Sequence, residues 1–139
     1  MRFLDANVIL RYLTRDDEAK AEACLALFQR VKAGEEEVTL SEVIIHEVLY
    51  VLCSKAHYNL SHEEAAARLR PILSLRGLKL PKKRVYLRAL DIYASSPKLD
   101  TGDALAMGHM EDQGLDEILS YDTGFDDQPG IRRVEPSFP

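Results

Sequence analysis

Apolar residues in this chain come in runs too short for a helix, each followed by longer stretches with helical spacing. That alternation constrains the fold more than any other feature. Phe3-Leu4-Asp5, Val38-Thr39-Leu40, Leu78-Lys79-Leu80 and Glu117-Ile118-Leu119-Ser120-Tyr121 read as strands, the first of them buried, with Arg132-Arg133-Val134 a last one before Pro136. Between them the spacing predicts a short helix over Asn7 to Thr14. A longer one runs from Asp17 to Lys32, where Ala21, Cys24, Leu25, Phe28 and Val31 recur at helical intervals and Gly34 stops it. Val43 to Lys55 is apolar almost all round, which predicts a helix buried on most sides with Ser41 as its N-cap. Ser61-His62-Glu63-Glu64 is a capping-box start for a helix to about Leu75, closed by Gly77. Lys82 to Ala94 and Thr101 to Gln113 follow, split by Ser95-Ser96-Pro97, with Gly114 as the final stop. The order β-α-α-β-α-α-β-α-α-β-β implies an α/β domain with a mainly parallel sheet covered on both faces.

A chain of 139 residues fits one domain and buries enough surface to need no staples. Its 46% hydrophobic and 29% charged residues exclude disordered and collagen-like classes, and no apolar run approaches the roughly 18 residues of a membrane span. Asp5 interrupts what would be the apolar stretch of a signal peptide, so the expected location is cytoplasmic. Cys24 and Cys53 lie in helical apolar contexts outside any CxxC pair and read as reduced, small packing residues.

The net charge of −5 hides a division. Arg68, Arg70, Arg76, Lys79, Lys82, Lys83, Arg84 and Arg88 fall in one stretch without an acid, whereas Leu99 to Ile131 holds carboxylates and no Lys or Arg. Such a chain can hold a cation at one place and a polyanion at another.

Ligands of parallel sheets bind beyond the carboxyl ends of the strands. Asp5 ends the first strand there and Asp122 ends the Glu117–Tyr121 strand. Asp103 opens a helix with Ala106, Met107 and Met110 on its own face, and Glu47 lies among Val43, Ile44 and Val51. Each has a local reading: Asp5 and Asp103 as helix caps, Asp122 as an Asx-turn with Gly124, Glu47 as half of an ion pair. Together they are four acids bound for one sheet edge, and carboxylates held that close repel unless a hard cation sits among them. Mg²⁺ or Mn²⁺ suits two or three carboxylates plus waters, and phosphodiester hydrolysis is the chemistry such a site serves. Asn7 and Ser120 stand beside the acids as neutral hydrogen-bonding groups. Lys82, Lys83 and Arg84, with Tyr86 among the bases, are candidates to contact phosphates.

Asp5-Ala6-Asn7 in FLDANVIL, Glu47 in SEVIIHEVLYVL, Asp103 in LDTGDALAMGHM and Asp122 in ILSYDTGF resemble the four acidic blocks of PIN-domain proteins, and most of all those of VapC-type ribonuclease toxins. The resemblance runs from the first strand to Val134-Glu135-Pro136. It implies a single PIN-like nuclease domain over residues 1–139, a three-layer α/β/α sandwich with a Rossmann-like sheet. It also implies a divalent metal held by Asp5, Glu47, Asp103 and Asp122 with Asn7 and Ser120 in support, endonucleolytic cleavage of RNA, a homodimer, and a cognate antitoxin that blocks the site. Ser120-Tyr121 stands where the family often has Thr and Phe before the last acid, and Asp100, Asp126 and Asp127 compete with Asp122 for the fourth place. Two other readings remain: a haloacid-dehalogenase-like phosphatase with Asp5 as nucleophile, although Asn7 stands where that chemistry wants a second Asp, and a non-catalytic RNA-binding PIN module.

Overall fold

Strand β1 (Arg2–Phe3) runs straight into helix α1 (Ala6–Thr14), because the Asp5 carboxylate accepts the Ala6 N–H at 2.9 Å and starts the helix. Residues 1–137 are described by the computed structural model. Helix α2 (Glu18–Ala33) is capped by Asp17, which accepts the Lys20 N–H at 3.1 Å, and ends at Gly34 in the left-handed region. Strand β2 (Val38–Thr39) leads to α3 (Glu42–Cys53), and α4 (His62–Leu73) begins at Ser61, whose hydroxyl accepts the Glu64 N–H at 3.1 Å. Helices α5 (Lys83–Ser95) and α6 (Thr101–Gln113) follow. Strand β3 (Glu117–Leu119), a one-turn 3₁₀ segment (Thr123–Phe125) and β4 (Arg132–Val134) complete the chain.

Both strand pairs are parallel, as an α/β fold requires: Arg2 and Phe3 pair with Val38 and Thr39, and Glu117 to Leu119 with Arg132 to Val134. The expected strand at Leu78–Leu80 contracts to a single bridge from Leu78 to Val38, with Lys79 N–H donating to the Val38 carbonyl at 2.8 Å. Pro81 cannot donate to a ladder and prevents its continuation. Alternation sends Leu4, Val38, Leu40 and Leu78 into the core, while Phe3 is 62% exposed. Phe3 therefore lies on the open face, contrary to a first strand buried throughout.

Helix α3 is the hub: it packs on α1, α4 and α6, and α5 bridges α4 and α6. Val48, Leu49 and Leu52 are buried almost completely. The expectation that this helix is buried on most sides fails on one face, where Val43, His46, Glu47 and Tyr50 are exposed. Its neighbours cover only the Ile44–Val48–Leu52 side, so apolar residues at Val43 and Tyr50 remain in contact with water. No helix among the described residues is long and apolar enough to cross a membrane.

Candidate functional site

Helix α6 starts with a reciprocal cap. An Asp100 oxygen accepts the Asp103 N–H at 2.8 Å, and the Asp103 carboxylate accepts the Asp100 N–H at 3.4 Å. Asp100, not Asp103, is thus the N-cap, and the D-x-x-D spacing was the signal for it. The reciprocal bonds hold two carboxylates side by side. A third arrives from the loop after β3, where Asp122 accepts the Gly124 N–H at 2.8 Å in the Asx-turn geometry and its own N–H donates to the Ser120 hydroxyl at 3.0 Å. Burial raises the pKa of Asp103, and the negative charges of Asp100 and Asp122 raise it further.

The other nearby acids are neutralised. Arg133 pairs with Asp126 at 2.7 Å and with Glu135 at 2.7 Å, and Lys98 pairs with Asp127 at 3.1 Å. The Asp126 carboxylate is held below its ordinary range by that guanidinium. Arg133 also donates to the Ser120 carbonyl at 3.2 Å, which anchors the loop that carries Asp122. Of the competitors for the fourth place, then, Asp126 and Asp127 are occupied by cations, while Asp100 and Asp122, beside Asp103, have none among the described residues. The pairing partners Lys98, Arg132 and Arg133 border the acidic stretch on either side, which is why the sequence between them gave no sign of it.

Asp5 lies at the carboxyl end of β1 and Glu47 on the exposed face of α3, each on an element in a packed chain of contacts from α1 through α3 to α6. Neither forms an ion pair among the described residues. The partner expected by a local reading of Glu47 is absent there, and the burial expected from its apolar neighbours is absent too. Asn7 is exposed in the first turn of α1. Among the described residues no three His, Cys, Asp or Glu side chains stand close enough to grip a metal ion. The donor chemistry nevertheless suits a hard divalent cation: hard carboxylate oxygens, mutual repulsion at Asp103, and, among the described residues, no ammonium or guanidinium paired with it.

The basic stretch is placed differently from expectation. Lys82 and Arg84 both pair with Asp112, at 3.8 and 2.7 Å, near the far end of α6. Nine residues separate Asp112 from Asp103, about 13 Å along the axis. Lys83 donates to the Leu75 carbonyl at 3.2 Å. Tyr86 points inward and donates to Glu42 at 3.2 Å, and burial, then Glu42, raises its pKa. Glu42 also receives His109 Nε2 at 2.7 Å, a junction of α3, α5 and α6 that spacing could not show because its members lie up to 67 residues apart.

Among curated proteins none matches this chain. A family model for the PIN domain matches residues 2–131. That span takes in β1, all six helices, β3 and the acids at Asp5, Glu47, Asp100, Asp103 and Asp122. With nearly its whole length matched, the chain belongs to the PIN-domain family.

Proposed function

We propose that the chain is a metal-dependent endoribonuclease of the VapC toxin type, a single cytoplasmic nuclease domain that acts as a homodimer and is silenced by a cognate antitoxin. PIN domains are a nuclease-type fold, and the reading here extends that to RNA as substrate and Mg²⁺ or Mn²⁺ as cofactor. The observation that carries it is Asp103. Its carboxylate is half-buried, feels the charges of Asp100 and Asp122, and has no cation partner among the described residues, whereas Asp126 and Asp127 are paired. Unrelieved repulsion of this kind is a cost to the fold that a catalytic cation would offset.

Asp5, Asp103 and Asp122, with Glu47, would hold the ion. In Asp5 and Asp122 one carboxylate oxygen accepts a backbone N–H, which fixes the group and leaves the other oxygen for a ligand. Ser120 would orient Asp122 by accepting its N–H, and Asn7, two residues after Asp5, would hold a phosphate oxygen. The bound ion supplies neutralisation of the phosphate and a more acidic water for in-line attack. The chain's own residues would hold the ion, and among the described residues no Lys or Arg pairs with Asp5, Glu47, Asp103 or Asp122 to compete with it.

The expected result is cleavage of structured RNA by the purified chain with Mg²⁺ or Mn²⁺ and none with EDTA. Asp5→Asn should abolish cleavage with an unchanged circular dichroism spectrum. Cleavage in EDTA, or by the variant at the parent rate, would overturn the assignment. A phospho-aspartyl adduct on Asp5 would point instead to phosphatase chemistry.

A further inference from the structure

We propose that an open groove walled by Arg76, Lys79 and Lys83 binds the phosphodiester backbone of single-stranded RNA and leads it along the sheet toward Asp5. The inference rests on the ribonuclease reading and names the track the substrate takes. Of the eight bases between Arg68 and Arg88, four are taken by acids: Arg70 by Asp91 at 2.6 Å, Lys82 and Arg84 by Asp112, and Arg88 by Glu111 at 2.9 Å. Three of the remaining four line one cavity of about 520 Å³, together with Thr39, Leu80 and Pro81. None of the three forms an ion pair with a described carboxylate.

One of these cations is tied by a hydrogen bond and another packs against the backbone. Arg76 lies across Gly34, so close that a Cβ there would stand 3.1 Å from its Nε, and Lys83 is tied to the Leu75 carbonyl. Burial, and after it the neighbouring Lys79, push the Lys83 ammonium pKa down. Lys82 caps α5 with no side-chain hydrogen bond, so the positive end of that helix adds to the field. A polyanion answers this arrangement, and a single neutral ligand does not.

Strand register supplies the direction. Phe3 pairs with Thr39, and Val38 with Leu78, which sets Thr39 beside Lys79. The two strands end at Phe3 and Thr39, so Asp5 and Ser41 leave the sheet at its carboxyl edge, each as the N-cap of the helix that follows. Alternation puts Phe3, Thr39 and Lys79 on one face, with Asp5 at its carboxyl end. Phe3, exposed and paired with Thr39 of the groove, precedes Asp5 by two residues and offers a platform for a base.

Binding of a fluorescent single-stranded RNA oligonucleotide by the full chain, titrated with salt in EDTA, tests this. The double variant Arg76→Gln with Lys79→Gln should bind about tenfold more weakly at 0.1 M salt, with the log–log salt slope reduced by about 1.4. Phe3→Ala should weaken binding about tenfold with the slope unchanged. Lys82→Gln with Arg84→Gln, whose charges already serve Asp112, should leave the slope near the parent's. A groove variant with the parent's slope overturns the proposal. So does parent-like RNA binding joined to loss of a glutamate-rich peptide, which would make the groove a protein-docking site. Cleavage with Mg²⁺, run in parallel, separates the two readings: a parent that binds through the groove without cutting defeats the ribonuclease assignment alone, and a parent that cuts while the groove variant binds normally defeats the groove alone.

Discussion

Asp103→Asn is expected to lower RNA cleavage about a hundredfold or more, several kcal/mol of transition-state stabilisation at about 1.4 kcal/mol per factor of ten. The same substitution should leave the fold as stable as the parent's in EDTA, or more so. Asparagine keeps an oxygen that can accept the Asp100 N–H, so the reciprocal cap of α6 survives, and it removes the charge that faces Asp100 and Asp122. The pH dependence gives an independent readout. Because burial and the two neighbouring carboxylates raise the Asp103 pKa, the folded chain holds that proton more tightly than the unfolded chain does. Stability of the parent therefore declines as pH rises from about 3.9, the ordinary aspartate value, through the raised folded value. The asparagine variant lacks that decline, so its advantage in melting temperature should open with rising pH and close on acidification. Addition of Mn²⁺ should reverse the order, since a ligand that binds only the folded parent raises its melting temperature. A variant that cuts at the parent rate, or that melts lower than the parent at neutral pH in EDTA, would show that Asp103 is an ordinary cap.

Gly77→Ala carries the largest expected cost to stability, about 3 kcal/mol or more, read as a fall of roughly 10 °C in melting temperature. A Cβ at Gly77 would sit 2.2 Å from the Glu36 carbonyl oxygen and 2.6 Å from that of Val31, both backbone atoms that no side-chain rotation can clear. Retreat is blocked as well. The Gly77 N–H donates to the Val31 carbonyl at 2.8 Å and its own carbonyl accepts the Val38 N–H at 2.9 Å, so moving the backbone breaks buried hydrogen bonds at the C-terminus of α2 and at the start of β2. Gly114→Ala is the comparison: nothing lies within 4 Å of its Cβ position, and only its left-handed backbone is penalised, at about 1 kcal/mol. Equal midpoints for the two variants in denaturant would mean that the Gly77 turn relaxes freely and that the close approach is not structural.

Local order was legible in the sequence because it is set by neighbours. The starts of α1, α2, α4 and α6, the glycine stops at Gly34 and Gly114, and the Asx-turn at Asp122 all depend on residues within a few positions of one another. The α/β class followed from the alternation of short and long apolar patterns, and the four acidic blocks marked the family. Burial followed less well. Glu47 has the apolar neighbours of a buried residue and lies in the open, and Phe3 faces water, because which side of an element is covered depends on partners far along the chain.

Charge compensation was wholly a matter of tertiary structure. The run of bases from Arg68 to Arg88 looks uniform in sequence, yet packing of α5 on α6 neutralises Lys82, Arg84 and Arg88, and leaves Arg76, Lys79 and Lys83 to share a groove. Likewise Asp122, Asp126 and Asp127 are near-neighbours of one chemical type, and only the folding-back of β4, which brings in Arg133, together with the position of Lys98 separates the paired from the unpaired. The sequence by itself determined where most helices begin and end, the α/β class, and which acids are candidates, since those follow from short-range hydrogen bonding and hydrophobic period, whereas the single sheet it suggested is two parallel strand pairs in the structure. The tertiary structure decided which charges are left without a partner, because Coulomb attraction acts on distance in space, and distance in space is what the chain does not record along its length.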